Sequence, residues 1–232
     1  FILACLRRAT AIGALNVTKA RKLMSFGVRP FVCPTIAVDT SCFEYVPLRK
    51  KQKRLILYVG RLSMEKRPGL LIEACNKLRR DGMKLKLLLI GDGPLRKEIE
   101  GIVSCMDMTD TVTVMGYVRH SEIQEFFRQS AVFVLPSARE GVSVSLLEAM
   151  ASGCLCIVSD IPDNKELIND MQNGLTFRLD DEEDLANKIR LAVSGSQELG
   201  YIGVNARNFV VSRYSFQAVG KTLSWVVQAL RA

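Results

Sequence analysis

The sequence predicts an α/β fold in which a parallel sheet is covered by helices on both faces. Short, almost continuous apolar runs recur along residues 55–177, and strands that are buried on both faces have this composition. Amphipathic stretches alternate with the runs, and Gly or Pro closes several of them. Apolar residues make up 48% and charged residues 24% of the 232 residues, which is enough for an ordinary globular core.

The predicted elements follow one another in a regular order. The strands share a short apolar run and are residues 55–59, 85–90, 112–115, 132–135, 155–158 and 175–177. The helices share an apolar face and are residues 68–78, 99–103, 122–127 and 146–151, a short helix that ends at 167–168, and residues 182–193. Ligands of such sheets bind beyond the carboxyl ends of the strands, so the loops after the strands form the candidate site.

The two ends of the chain follow other patterns. Residues 14–25 favour a helix, residues 28–43 favour an irregular connection that contains Pro30 and Pro34, and residues 214–230 predict an amphipathic helix. The chain begins at Phe1 rather than Met, so we expect a fragment with structure missing before it. No apolar run approaches the ~20 residues of a membrane span, and residues 1–6 are too few and lack a cleavage pattern after them.

The net charge of +8 and the pI of about 9.2 favour anionic partners such as nucleotide phosphates, nucleic acid or an acidic membrane. Five cations crowd one short stretch: Arg49, Lys50, Lys51, Lys53 and Arg54. A solvated linker and a membrane-surface contact both explain this stretch. RNA binding explains it less well, because aromatic residues are 7% of the chain and none lies among these cations.

Cysteine and histidine usage argues against a metal centre. The chain has seven cysteines without a CxxC pair and one histidine, so no zinc site is predicted. Most of the cysteines lie in apolar runs and are interpreted as small core residues, which suits a reducing compartment.

The loop after the first strand contains two cations before a predicted helix. Gly60 permits a sharp turn, Arg61 and Lys66 then stand at the carboxyl edge of the sheet, and Pro68 begins the helix. Two fixed cations beside a helix N-terminus can hold a diphosphate. Ordinary solvated surface charges are the alternative explanation.

The loops after the second and third strands carry more ambiguous residues. Gly91 and Gly93 resemble the start of a dinucleotide fingerprint, but Arg96 stands where its third glycine would be, and Pro94 favours a structural turn that walls the cleft. His120 follows the third strand. It can be a general base, but surface polarity at a helix start explains it equally well.

The loop after the fourth strand holds two carboxylates, Glu140 and Glu148, with seven residues between them. Residues 141–143 would form the helix start, where free backbone N–H groups favour a phosphate, and the carboxylates can accept hydrogen bonds from sugar hydroxyls. Alone, the pair is explained by a helix-capping Glu and a solvated one. Combined with Arg61, Lys66 and the strand order, it favours a binding site.

Four segments in this order resemble the donor-binding C-terminal lobe of glycosyltransferase family 4: GRLSMEK, IGDGPL, VMGYV and PSAREGVSVSLLEAMASG. The resemblance covers residues 35–232, and residues 33–43 resemble the segment between the lobes. It implies the GT-B fold, with a Rossmann-like sheet, and sugar transfer with retention of configuration and without a metal. It divides the chain into a remnant of the acceptor lobe and the linker (1–46), a nucleotide-sugar-binding domain (47–212) and a helix that returns to the acceptor lobe (213–232).

The resemblance also implies roles for the charged residues. Arg61 and Lys66 would neutralise the donor diphosphate and the departing nucleotide, Glu148 would bind ribose hydroxyls, and Glu140 would position the transferred sugar rather than act as nucleophile. Arg61, Lys66 and Glu140 are thus the candidate catalytic residues. No metal ligand is implied.

The remaining implied donor contacts are made by backbone groups or small side chains. Residues 117–118 would border the nucleobase, residues 141–143 would approach the phosphate or sugar, and residue 144 would pack near the ribose. These donor-binding residues are Gly60, Tyr117, Val118, Gly141, Val142, Ser143 and Val144. The family commonly has Phe-Gly where Val142-Ser143 stands and Gly where Ala37 stands, and the side chain of Ser143 could alter donor choice.

Three functional hypotheses follow. The first is a hexosyltransferase of polysaccharide biosynthesis that moves a sugar from a nucleotide sugar, with a UDP-sugar as the default, to a saccharide or lipid-linked acceptor. The second is a nucleotide-sugar-binding subunit or fragment that is inactive without a separate acceptor lobe. The third is a dinucleotide oxidoreductase, supported only by the Gly91–Gly93 turn. For the first two we expect a cytoplasmic location, with peripheral membrane contact open, no cofactor and no nucleic-acid partner.

Overall fold

The computed structural model describes residues 5, 9, 11–195 and 198–229 of the chain. Two parallel sheets occur in this part. The small sheet pairs β1 (Gly13–Ala14) with β2 (Phe31–Val32). The large sheet has six parallel strands in the order β5-β4-β3-β6-β7-β8, and they are β3 (Gln52–Val59), β4 (Lys86–Ile90), β5 (Val112–Gly116), β6 (Ser130–Leu135), β7 (Leu155–Ser159) and β8 (Leu175–Phe177).

Helices connect the strands of the large sheet and extend the chain beyond it. They are α1 (Val17–Met24), α2 (Pro68–Arg80), α3 (Arg96–Cys105), α4 (His120–Gln129), α5 (Val144–Ala151), α6 (Pro162–Lys165), α7 (Glu182–Ser194), α8 (Gly200–Arg213) and α9 (Phe216–Ala229). Two short 3-10 turns, Leu48–Lys50 and Met64–Lys66, flank β3.

The central strand β3 shows why the helices cover both faces of the sheet. Successive side chains of a strand point to opposite faces. Ile56 and Tyr58 therefore pack with α2, α3 and α7 in one buried cluster, while Leu57 and Val59 pack with α4, α5 and α8 in another. The predicted fold class, a Rossmann-like parallel sheet with helices on both faces, is confirmed.

Two glycines let the loops after β3 and β4 approach each other at the carboxyl edge. Gly91 has φ 137°, and a Cβ there would lie 1.9 Å from the carbonyl oxygen of Gly60. A Cβ on Gly93 would lie 2.3 Å from the carbonyl oxygen of Leu62. The glycines of this turn are therefore required by close backbone packing, which agrees with its structural interpretation.

The N-terminal segment differs from the prediction in two places. Helix α1 begins at Val17 rather than at residue 14, because Asn16 is its N-cap and accepts a hydrogen bond from the Lys19 amide at 2.8 Å. The residues before it form β1, and the predicted irregular connection contains β2, which pairs with β1. Short strands of this kind lack the length from which a pattern can be recognised.

The predictions for the C-terminal part differ from the structure at two helices. The helix α8 was not predicted, and α6 ends at Lys165, before the predicted end at 167–168. The predicted helix 214–230 is present as α9, and its expected apolar residue Leu230 lies outside the described residues, as do most of residues 1–6.

The basic stretch is not a solvated linker throughout. Lys51 is buried, and its ammonium group donates to the carbonyl oxygen of Phe127 near the end of α4 and lies 3.6 Å from the Cys154 Sγ atom. Lys53 and Arg54 belong to β3 and are exposed. Four of the seven cysteines are buried as predicted, whereas the described residues Cys5, Cys42 and Cys105 are exposed.

Candidate functional site

The loops that follow β3 and β6 meet through an ion pair. The ammonium nitrogen of Lys66 lies 2.6 Å from Oε1 of Glu140. The Glu140 side chain is 5% exposed and that of Lys66 is 24% exposed, so the pair is shielded from water more than a surface pair is. The amide of Ala138 also donates to the carbonyl oxygen of Glu65 at 2.8 Å. The two loops are thus fixed against each other at the carboxyl edge of neighbouring strands.

A cavity of about 440 Å³ opens beside this ion pair. It is lined by two residues of the β3 loop and three of the β6 loop: Glu65, Lys66, Arg139, Glu140 and Gly141. Its wall therefore combines two cations, two carboxylates and the backbone of a glycine. Such a set can bind an anionic group and hydroxyl groups at the same time.

The start of α5 presents backbone donors next to the cavity. Ser143 is the N-cap, and its Oγ accepts from the Leu146 amide at 3.4 Å. Within the part of the chain that the structure describes, the amides of Gly141 and Val142 donate to no protein acceptor. Free N–H groups before a helix are suited to an anion.

Glu148 lies in α5 and is paired with His120 at the start of α4. The distance from His120 Nε2 to Glu148 Oε1 is 2.7 Å. The Glu148 side chain is 5% exposed, and burial raises the pKa of its carboxyl group, while the hydrogen bond from His120 opposes that rise. Glu140 and Glu148 are thus neither a helix cap nor a solvated residue, and that interpretation of the pair is wrong.

Arg61 is placed differently from Lys66. Its side chain is exposed and has no ion pair within the described ranges, and it does not line the cavity. Its carbonyl oxygen accepts from the Tyr58 hydroxyl at 2.8 Å, which fixes the backbone beside Gly60. The structure therefore brings Lys66 and Glu140 into contact and pairs Glu148 with His120, but leaves the Arg61 guanidinium in solvent.

The residues expected around the nucleoside lie on loops after two strands. Tyr117 is exposed, and Val118 is half-buried against the core cluster that contains α4 and α5. Val142 packs partly against the same cluster, and Val144 is exposed at the start of α5. The side chains of Tyr117 and Val144 are free to border a ligand.

Some residues at the site were not predicted. Glu65 and Arg139 line the cavity, although only their neighbours in sequence were singled out. Lys19 of α1 donates to the carbonyl oxygen of Glu140 at 3.1 Å and pairs with Asp163 at 2.9 Å. Lys19 and Glu140 are 121 positions apart, so no local pattern could connect them.

Two features are absent from the described residues. No group of three or more His, Cys, Asp and Glu side chains there could hold a metal ion. None of the helices described is both long enough and apolar enough to cross a membrane.

Comparison with known proteins identifies the family. The family model described as "Glycosyl transferases group 1" matches residues 44–209. The chain belongs to the group 1 glycosyl transferases. This membership confirms the resemblance of the loop motifs to those of a glycosyltransferase and gives no support to the oxidoreductase hypothesis.

Curated relatives of this glycosyl transferase chain extend well beyond the part that matches it. Alpha-D-kanosaminyltransferase of Streptomyces kanamyceticus is 26% identical over 176 residues, which cover 76% of this chain and 46% of the relative. UDP-Gal:alpha-D-GlcNAc-diphosphoundecaprenol alpha-1,3-galactosyltransferase of Escherichia coli is 28% identical over 172 residues, covering 72% and 43%. The chain thus spans about half the length of these relatives.

A solved structure supports the same fold. Anabaena Alr3699/HepE in complex with UDP superposes with a TM-score of 0.85 at 17% sequence identity, covering 97% of this chain and 65% of that one. At this identity the likeness shows the fold of the glycosyl transferase chain, and the chemistry must be argued from its own residues.

Proposed function

We propose that this chain is the donor-binding half of a retaining, metal-independent glycosyltransferase, and that the cavity beside Lys66 holds the diphosphate-linked sugar of a nucleotide sugar. The partly buried Lys66–Glu140 ion pair at 2.6 Å carries the proposal. A cation and a carboxylate shielded from water cost free energy to maintain, and a ligand with phosphate and hydroxyl groups satisfies both. The ion pair lies beyond the carboxyl ends of β3 and β6, where ligands of parallel sheets bind.

The proposed reaction rests on stabilising the leaving group. When the bond from the sugar C1 to the phosphate oxygen breaks, negative charge develops on the nucleoside diphosphate. Lys66, the exposed guanidinium of Arg61, and the free amides of Gly141 and Val142 would meet that charge. Glu140 would accept hydrogen bonds from the sugar and hold it in place, without acting as nucleophile.

The nucleoside would extend from the cavity along the start of α5. Glu148 would accept hydrogen bonds from the ribose, Val144 would pack near it, and the main chain of Tyr117 and Val118 would border the base. A UDP-sugar is the proposed donor. The Escherichia coli relative is named for UDP-Gal and the Anabaena structure contains UDP, which supports this choice.

We place the acceptor in a lobe to which residues 1–46 would belong as remnant and linker. Residues 47–212 would form the donor domain, and residues 213–232 would return to the acceptor lobe. A saccharide or lipid-linked acceptor is proposed, because the Escherichia coli relative is named for a diphosphoundecaprenol-linked sugar. The second candidate is a binding subunit that is inactive without a separate acceptor lobe, because the match covers only 46% of the kanosaminyltransferase relative.

Calorimetry with UDP, GDP, ADP and their sugars tests the donor site. Removing the ammonium group in Lys66→Ala should weaken the preferred nucleotide sugar about 10- to 100-fold, because hydrogen bonds to charged groups contribute about 1.5–3 kcal/mol. Lys66→Arg should recover part of the affinity. The matched control is Lys77→Ala, since Lys77 pairs with Glu183 on the surface at 2.5 Å, and it should bind as the parent does.

The outcomes separate the candidates. Unchanged affinity in Lys66→Ala, or no binding of any nucleotide, contradicts the proposed site. If the nucleotide sugar binds, a turnover assay with saccharide acceptors distinguishes an active transferase from a binding subunit. Sugar transfer by this chain alone rejects the binding subunit, and binding without transfer supports it.

We also propose a cytoplasmic location with contact to an anionic membrane through the exposed cations Arg49, Lys50, Lys53 and Arg54. None of the four forms an ion pair within the described ranges, so their charge is free to attract a lipid surface. The fraction of the protein that sediments with phosphatidylserine vesicles should fall when these four cations are changed to Gln. It should also fall when the salt concentration rises. Equal sedimentation of both forms would reject the contact.

A further inference from the structure

The His120–Glu148 pair leaves one carboxylate oxygen free. Oε1 of Glu148 forms a hydrogen bond of 2.7 Å with Nε2 of His120. Oε2 accepts no hydrogen bond from the described residues. The side chain is only 5% exposed. Oε2 is not one of the fully buried side-chain atoms that lack a partner, so this oxygen reaches the surface. A donor from outside the chain can therefore meet Oε2 while His120 occupies Oε1.

The His120 ring is itself held in position. The Phe43 ring packs against it at a centroid distance of 5.6 Å, and Phe43 also contacts Phe127 of the same helix at 5.8 Å. Phe43 is 2% exposed and belongs to the buried cluster beneath α4 and α5. Although the imidazole is 69% exposed, it packs against the buried Phe43 ring and forms a hydrogen bond with the buried Glu148 carboxylate.

We propose that His120 is a positioning residue that fixes Glu148 so that its free oxygen meets the ribose 2′-hydroxyl of the nucleotide. The inference rests on the proposed function, which assigns Glu148 to the ribose. His120 donates its Nε2–H to Oε1 and thereby sets the rotation of the carboxylate plane. Without that hydrogen bond Glu148 can turn or become protonated, and a protonated carboxyl group accepts fewer hydrogen bonds. His120 acts through Glu148 and needs no contact with the nucleotide.

The experiment compares each nucleoside diphosphate with its 2′-deoxy form by calorimetry, using UDP, ADP or GDP, whichever binds. The parent chain should prefer the ribo form about 10- to 100-fold, because the deoxy form lacks a hydroxyl donor to a charged acceptor. His120→Ala should reduce this preference to less than about threefold while it changes affinity for the deoxy form less than about twofold. A ratio within one variant is independent of the fraction that is correctly folded.

Two further variants complete the test. His120→Gln keeps an N–H donor and should restore most of the preference. Glu122→Gln is the matched control, because Glu122 lies on the first turn of α4, is exposed and pairs with Arg119, and it should keep the full preference.

The results distinguish the inference from the proposal beneath it. Glu148→Ala should abolish the preference. If it keeps the preference, or if none of the three diphosphates binds, the proposed function is contradicted and the inference fails with it. If Glu148→Ala abolishes the preference but His120→Ala retains it, the ribose assignment stands and the positioning role of His120 is overturned.

Discussion

The side chains of Glu140 and Glu148 are each 5% exposed, yet their surroundings differ. The Glu140 carboxylate pairs with the ammonium group of Lys66, and the Glu148 carboxylate pairs with the imidazole of His120. Burial therefore raises the pKa of Glu148, and the hydrogen bond from His120 offsets part of that rise. The two side chains suit different tasks: one sits beside a full positive charge, and the other depends on its protonation state for hydrogen bonding.

The raised pKa of Glu148 predicts an acid limit to nucleotide binding. The carboxylate form accepts hydroxyl donors, so affinity should fall as pH drops through a pKa above the ordinary value of 4.5. In His120→Ala the pKa of Glu148 should rise further, because the hydrogen bond from His120 that lowers it is gone. The loss of nucleotide affinity should therefore begin at a higher pH than in the parent. Dissociation constants measured between about pH 4.5 and 8 test this. Identical pH profiles for the parent and His120→Ala would contradict the prediction.

At the scale of elements, the loop-to-helix junction before α5 explains a departure from the family pattern. Ser143 stands where the family commonly has Gly, and its hydroxyl caps the helix. The capping distance of 3.4 Å to the Leu146 amide is long for a hydrogen bond, so its stabilisation lies at the lower end of the usual range. Ser143 thus stabilises the element that carries Glu148 and adds a side chain beside the proposed phosphate path.

Substitutions at Ser143 separate these two effects. Ser143→Ala should lower the free energy of unfolding by about 0.5–1 kcal/mol, and Ser143→Gly by only a few tenths, because Gly is tolerated at an N-cap. Urea denaturation measures both. The control is Ser212→Ala, whose exposed hydroxyl bonds the Phe209 carbonyl oxygen within α8 and caps no helix start. Equal destabilisation by Ala and Gly would contradict the capping role.

The elements also show how far sequence patterns reach. The strands of the large sheet were predicted because continuous apolar runs arise only where both faces are buried. Helix α8 was missed because its buried positions include Gly203 and Ala206, small residues that leave no apolar stripe in the sequence. Lys51 was interpreted as solvated because lysine is mostly exposed, and the carbonyl oxygen of Phe127 that it meets lies 76 positions away.

The sequence predicted which loops form the candidate site but not which side chains contact each other there. Parallel strands bring their carboxyl ends to one edge, which placed the loops of Lys66, Glu140 and Glu148 together. Which side chains touch depends on tertiary packing, and the partner of Glu148 proved to be His120, a residue for which surface polarity was an equal explanation. The roles of these residues in donor binding stay predictions.

At the scale of the whole molecule, Arg207 joins three segments that are distant in sequence. Its guanidinium donates to the carbonyl oxygens of Phe43 at 2.6 Å, Thr40 at 2.9 Å and Ala151 at 3.0 Å. The segment that contains Phe43 also supports the His120 ring. Arg207 on α8 is therefore linked through Phe43 and His120 to Glu148, and the segment of residues 40–43 is fixed to the helices at the candidate site.

Arg207→Ala should lower the free energy of unfolding by about 1.5–3 kcal/mol, because three carbonyl oxygens lose a charged donor while partial exposure lets water replace some of it. Arg207→Lys should recover only a minor part, since an ammonium group lacks the planar fork that reaches three acceptors. Urea denaturation measures the change. Arg190→Ala is the control, because its 2.5 Å pair with Asp81 lies on the surface and should contribute less than about 1 kcal/mol. If Arg207→Ala proved no more destabilising than Arg190→Ala, this segment would have to be held by its other contacts. One of them is the 2.7 Å hydrogen bond from the Val38 amide to the Tyr214 carbonyl oxygen.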